Sequence, residues 1–153
     1  MDHVDRKILT LLQGNADMAL AEIAEAVGLS TTPCWRRIQK LEKDGVIRAR
    51  VALLDRRAID LGVTVMVRVR TNRHDMAWLE QFARVVEDID EIVEVYRMSG
   101  DIDYVLKVVV PDIATYDAIY KRLITAVPLM DVSSNFAMEE IKFSTRLPLT
   151  YAR

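Results

Sequence analysis

ALAEIAEAVGLSTTPCWRRIQKLEKD, residues 19–44, is the stretch whose reading decides the fold. Its apolar positions recur at helical spacing on both sides of Gly28-Leu29-Ser30 and change phase there. Leu20, Ile23, Ala24 and Val27 make one face of a helix whose Glu22 and Glu25 point away. Gly28 supplies the left-handed residue on which helix C-termini commonly end. Beyond it Cys34, Ile38 and Leu41 fall at i, i+4 and i+7, a narrow stripe that can face the preceding helices. Either Ser30 or Thr32 can cap this helix, since Pro33 is well tolerated at a first helical position, where no N–H is needed. The side opposite the stripe carries Thr32, Trp35, Arg36, Gln39 and Lys43. Two helices around a tight turn, the second basic on its outer side, is the layout of a helix-turn-helix that reads DNA.

Working outward, Val4, Ile8, Leu11 and Leu12 predict a preceding helix, with Asp2 or Asp5 at its positive end and a stop near Gly14-Asn15. On the other side Gly45 ends the reading helix and Val46-Ile47 returns to the core. Arg48 to Leu54, RARVALL, is β-prone, and DRRAIDLG is a connector closing at Gly62. The expected division is therefore a helix-turn-helix domain over 1–50, a strand and linker over 51–62, and a second domain over 63–153.

In that second domain Val63, Val65, Val67 and Val69 alternate with Thr64, Met66, Arg68 and Arg70, a strand of period two. Met76, Leu79, Phe82, Ala83 and Val86 return to helical period. Ile92–Met98 and Asp103–Val110 read as a hairpin around Ser99-Gly100-Asp101-Ile102. Ile113, Tyr116, Ile119, Tyr120 and Leu123 mark a helix stopped before Pro128, and Val132–Phe143 a last strand with a bulge where its phase changes between Met138 and Ile141. The order βαββαβ predicts an α+β, ferredoxin-like domain with both helices on one face of a four-stranded sheet. Thr64 and Met66 of the first strand and Val105 and Val109 of the third leave the other face apolar as well, which predicts a homodimer.

The 153 residues are 51% hydrophobic and 29% charged, enough for one or two packed domains. A net charge of −2 argues against coating nucleic acid through bulk positive charge. From Ser30 to Arg50, however, six bases stand against two acids, so the basic footprint is local. One cysteine, Cys34, excludes an internal disulfide, and with His3 and His74 as the only histidines no zinc site is expected. No apolar run approaches the roughly 18 residues of a membrane span, and the reading is of a soluble cytoplasmic protein.

DRKILTLLQGNADMALAEIAEAVGLS, then RRIQKLEKDGVI, a connector ending in LG, and VYRMSGDIDYVLKVVV together resemble the Lrp/AsnC, or feast/famine, family of transcription regulators. The resemblance covers almost the whole chain and implies a winged or strand-extended helix-turn-helix followed by a ligand-sensing βαββαβ domain. It also implies dimers that assemble into octamers, and an amino acid as effector. The family's reading pattern falls on Ser30, Thr31, Thr32, Pro33, Trp35, Arg36, Gln39 and Lys40, with Arg37 placed to brace Glu42 or a phosphate. The sensing turn falls on Met98, Ser99, Gly100, Asp101, Asp103 and Tyr104, with Ser134 and Asn135 as further candidates from the last strand.

Within the reading helix, Thr31, Thr32, Arg36 and Gln39 are the base-edge candidates, because the N-terminal part of such a helix enters the major groove. Lys40, Lys43 and Arg48 are phosphate candidates, which position without specifying. Trp35 has two readings, a contact to DNA or packing on the next element. Cys34, on the buried stripe, reads as a small core residue. Asp101, Asp103 and Tyr104 could receive an α-ammonium group, although Gly and Asp are also simply what turns use. Two further functions share the pattern: an architectural DNA-binding protein without effector, and, since some proteins of this fold resemble siroheme decarboxylases, an enzyme that handles a tetrapyrrole.

Overall fold

The structure, a computed structural model, describes residues 1–152 and divides into two units: Met1–Leu53 together with the chain from Lys142 onward, and Leu54–Ile141. In the first, α1 spans His3–Gly14, α2 Leu20–Val27 and α3 Thr31–Lys43. A capping box starts α1: the Asp2 carboxylate accepts from the Asp5 N–H at 2.8 Å and Asp5 accepts from the Asp2 N–H at 3.0 Å. Gly28, at φ 72°, closes α2 in the left-handed region that a side chain would make costly. The chain is extended at Ser30, whose carbonyl accepts the Cys34 N–H, so α3 starts from Ser30 rather than Thr32. Ile8, Leu9, Ile23, Ala24, Cys34, Ile38 and Leu41 form the core of this unit, and the expected stripe of α3 is fully inside it.

Two expectations for this unit are corrected. Arg48–Leu54 forms no strand, and Val51, Leu53 and Leu54 are exposed. A strand needs a neighbour for its N–H and C=O groups, and none of the described residues pairs with these. The C-terminal segment, expected within the second domain, packs on the first. The Leu147 N–H donates to Gln13 Oε1 at 2.7 Å, Gln13 Nε2 donates back to the Leu147 carbonyl at 3.3 Å, and Arg6 reaches the Ala152 carbonyl. Leu149, in a 3-10 turn over Leu149–Tyr151, supplies the apolar reason by packing on the core of α1–α3.

The second unit contains β1 (Val63–Arg70), α4 (Met76–Glu87), β2 (Ile92–Arg97), β3 (Tyr104–Val110), α5 (Ile113–Ala126) and β4 (Asp131–Phe136). The sheet has the order β2-β3-β1-β4 with every neighbouring pair antiparallel, the ferredoxin-like arrangement that the element order predicts. Val65, Val67 and Val69 stand opposite Val108, Leu106 and Tyr104, and all six are buried on the helix side. β4 ends at Phe136 instead of running to Phe143. The Ala137 N–H meets the Thr64 carbonyl, after which β1 has no more ladder to offer. The bulge expected beyond Met138 is therefore absent, and the register break lies in β2, between Ile92 and Glu94.

Helix faces also differ in detail. Met76 and Ile113 were expected inside but stand in first turns and are exposed, whereas Trp78 and Phe82 are the buried anchors of α4. Asp75 and Asp112 cap these two helices by accepting the N–H groups of Trp78 and Thr115. The open side of the sheet is mixed rather than apolar throughout. Half-exposed Met66, Tyr96 and neighbouring Val105 alternate with Arg68 and with a Glu94–Lys107 pair at 2.8 Å. No helix is long and apolar enough to cross a membrane among the described residues.

Candidate nucleic-acid interface and effector turn

The start of α3 from Ser30, made without a side-chain cap bond, and its buried stripe turn the remaining side outward. Ser30, Thr31, Thr32, Pro33, Arg36, Gln39, Lys40, Lys43 and Arg48 are all exposed. Arg36, Lys40, Lys43 and Arg48 have no acidic partner among the described residues, so their charge is available to an anion. Trp35 is 51% exposed and borders a shallow cleft with Met18, Leu20 and Ile23. Exposure of that degree fits either reading of the indole and selects neither.

Arg37 departs from this face. Its Nη1 donates to Asp2 at 2.6 Å and to Asp5 at 2.7 Å, tying α3 to the N-terminus of α1. The expected brace between Arg37 and Glu42 is not formed. Glu42 instead takes Arg50 at 3.0 Å and the Gln39 amide at 2.8 Å. Arg37 and Arg50 belong to the same basic cluster, and which acid each finds depends on how α1 and the 46–51 segment return to α3. Arg37 thus has a structural partner, which lessens its case as a phosphate ligand.

The Asp5 N–H, and then the Arg37 guanidinium, hold the Asp2 carboxyl down to about 2, against an ordinary 3.8. A carboxyl depressed by folding stabilises fully above its ordinary value and loses that contribution as the pH falls through the folded one. Acid melting of the wild type should therefore approach that of Arg37→Ala between pH 4 and about 2, the interval bounded by those two values. A constant difference in melting temperature across that interval would exclude the clamp as its source.

In the second unit the hairpin turn joins β2 to β3. Gly100 takes φ 105°, and Met98, Ser99 and Asp101 are exposed around it. Asp103, Tyr104 and Ser134 are held elsewhere in the fold. The Asp103 carboxylate accepts the Thr71 N–H at 2.8 Å while its own N–H bonds the Val69 carbonyl, so it ties the turn to the end of β1. Tyr104 is buried against Phe82 and Trp78, with ring centroids 4.7 and 5.7 Å away. Ser134 pairs with Val67 and bonds the Tyr116 hydroxyl on the helix side, whose titration burial pushes up. Asn135 pairs with Met66 on the open side. Adjacent strand residues point to opposite faces, so Ser134 and Asn135 cannot line one wall. Of the two acids proposed for an ammonium group, Asp101 is exposed and Asp103 half-buried. The tie through Thr71 was missed in the sequence, because a backbone N–H leaves no residue-type signal.

Comparison with known proteins agrees with both units. A family model described as Winged helix-turn-helix DNA-binding matches residues 1–48, and one described as Lrp/AsnC ligand binding domain matches residues 64–147. The chain is 51% identical over 149 residues to a glutamate uptake regulatory protein of Zymomonas mobilis, covering 97% of this chain and 91% of that one. An AsnC family transcriptional regulator from Agrobacterium tumefaciens superposes with a TM-score of 0.96 at 59% identity, with full coverage of both chains. A transcriptional regulator from Neisseria meningitidis solved in complex with L-Met superposes at 0.93 with 33% identity, covering 98% of this chain and 97% of that one.

Proposed function

The chain belongs to the Lrp/AsnC family of DNA-binding transcriptional regulators, and on that premise we propose which of its surfaces read DNA, join copies and bind effector. Thr31, Thr32, Arg36 and Gln39 meet base edges in the major groove, while Lys40, Lys43 and Arg48 hold phosphates. The observation that carries this is the outward face of α3, with four cations that have no acidic partner among the described residues beside one polar surface. Two chains join through the open side of the sheet, where Met66, Tyr96 and Val105 await cover, and place two α3 helices roughly 34 Å apart on a near-palindromic site. Dimers then assemble toward an octamer. Selection of bound genomic DNA fragments tests the reading, with paired half-sites about one helical turn apart as the expected result. Unpaired, sequence-independent recovery would overturn it.

An amino acid bound beside the turn of Met98, Ser99, Gly100 and Asp101 shifts the assembly between states and so changes DNA affinity by linkage. Support comes from the exposed Asp101 and from the L-Met complex of the Neisseria relative. A thermal-shift panel of the twenty amino acids should show selective stabilisation, about 2.7 kcal/mol at a hundredfold excess over Kd. Asp101→Ala should remove it. A hit that survives this change would place the pocket elsewhere. The commitment of Asp103 and Tyr104 to the fold favours a second reading, an architectural protein without effector. In that case no amino acid shifts the melting curve, and binding follows salt and DNA deformability rather than base sequence.

A further inference from the structure

We propose that Glu42 is a positioning residue that sets which base Gln39 reads. This rests on the reading of α3 as the major-groove helix. Gln39 and Glu42 stand three residues apart, close enough on a helix surface for their side chains to meet. Glu42 Oε2 accepts from Gln39 Nε2 at 2.8 Å, and its Oε1 accepts from Arg50 Nη2 at 3.0 Å. A carboxylate has acceptors only, so the amide nitrogen of Gln39 must turn toward it and the amide oxygen must turn away. The orientation of an amide is often set by neighbours of ambiguous chemistry. Here the neighbour allows one answer.

Packing does not impose that orientation. Gln39 is exposed, and the cleft that it borders with Trp35, Ile38, Glu42 and Arg50 has a volume of about 340 Å³, room enough for other side-chain positions. The hydrogen bond therefore selects, and Arg50 steadies the carboxylate from its other oxygen. What remains on the outer edge of Gln39 is one N–H beside a carbonyl oxygen. That pair matches adenine, which presents an acceptor at N7 and a donor at N6, and mismatches guanine, which presents two acceptors. Glu42 touches no base in this scheme. It makes Gln39 an adenine reader and at the same time keeps Arg50 from acting as a free phosphate ligand.

The test measures full-length protein on DNA sites recovered by selection, each synthesised with adenine or guanine at every half-site position. Wild type should prefer adenine at one position by about tenfold, the lower range of discrimination for a bidentate pair. Gln39→Ala should level that position alone. Glu42→Gln keeps the side-chain shape but can offer its own N–H to the Gln39 oxygen, which frees both Gln39 N–H groups. It should cut the preference to about twofold or invert it, since guanine's two acceptors are then served. The same variant removes the negative charge that opposes Arg50 and should steepen the salt dependence of binding by up to about one phosphate contact. Arg50→Ala, lying outside α3, carries the test should a Glu42 change unfold the unit, and should lower the adenine preference in the same direction. Loss of preference in Gln39→Ala with full preference in Glu42→Gln and Arg50→Ala would overturn the role of Glu42 and leave the α3 reading intact. Unchanged preference in all three variants would overturn both.

Discussion

Arg36→Ala combined with Gln39→Ala is expected to weaken binding to a selected DNA site by roughly 2–6 kcal/mol, at least about thirtyfold, since each bidentate base contact contributes roughly 1–3 kcal/mol. Both side chains are exposed on the outer side of α3, and neither belongs to the buried stripe of Cys34, Ile38 and Leu41. The folded unit should survive the change. Binding to unrelated DNA should fall far less, because Lys40, Lys43 and Arg48 remain and only one cation is lost. The informative quantity is thus the ratio of specific to nonspecific affinity, measured by fluorescence anisotropy at one fixed salt concentration. Lys40→Ala with Lys43→Ala should do the reverse, lowering both affinities together and flattening the salt slope by about two. An unchanged specific-to-nonspecific ratio in the Arg36/Gln39 variant would move the reading surface off this face of α3.

Trp78→Ala carries the largest expected loss of stability, about 3–5 kcal/mol for removal of a buried aromatic. The indole is 2% exposed and stacks on Phe82 at 5.0 Å between ring centroids with an interplanar angle of 11°. Its Nε1–H donates to the Pro128 carbonyl at 2.9 Å, fastening α4 to the turn after α5. Truncation leaves a cavity and an acceptor without its donor, two separate costs. Trp78→Phe should recover most of the packing and none of the hydrogen bond, and so fall between them. Denaturant unfolding followed by far-UV circular dichroism will show whether the second unit is destabilised in that order. Equal stability of Trp78→Ala and the wild type would mean that the aromatic cluster of Trp78, Phe82 and Tyr104 is not the centre of this core. The same cluster backs Tyr104, the residue after Asp103, so loosening it should also disturb the turn proposed for effector binding.

Much of this could be read without coordinates. The helix-turn-helix follows from Gly28, from the stripe of Cys34, Ile38 and Leu41, and from the basic exterior of α3, all of them local in sequence. The βαββαβ order follows from the alternation of Val63–Arg70 and the glycine of the hairpin. Errors fell where periodicity is ambiguous. Met76 and Ile113 fit an apolar spacing, but the caps at Asp75 and Asp112 start the helices there, and a first-turn side chain need not reach the sheet. Val132–Phe143 keeps β-type residues past the point at which β1 can pair with them, so strand length was set by the neighbour.

Local sequence was enough for the five helices, for the turns at Gly28 and Gly100, and for the side of α3 that stays polar. Those depend on residues within a turn or two of one another, where spacing and side-chain chemistry act directly. Folding in three dimensions was needed to pair Arg37 with Asp2 and Asp5 and Arg50 with Glu42, to tie Asp103 to Thr71, to turn Ser134 and Asn135 opposite ways, and to bring Leu149 back to the core of α1–α3. Each of these depends on strand register or chain return rather than on local spacing. For the ion pairs, several identical charges could have filled each role, and the fold selects among them by bringing one within about 3 Å, the reach of a hydrogen bond.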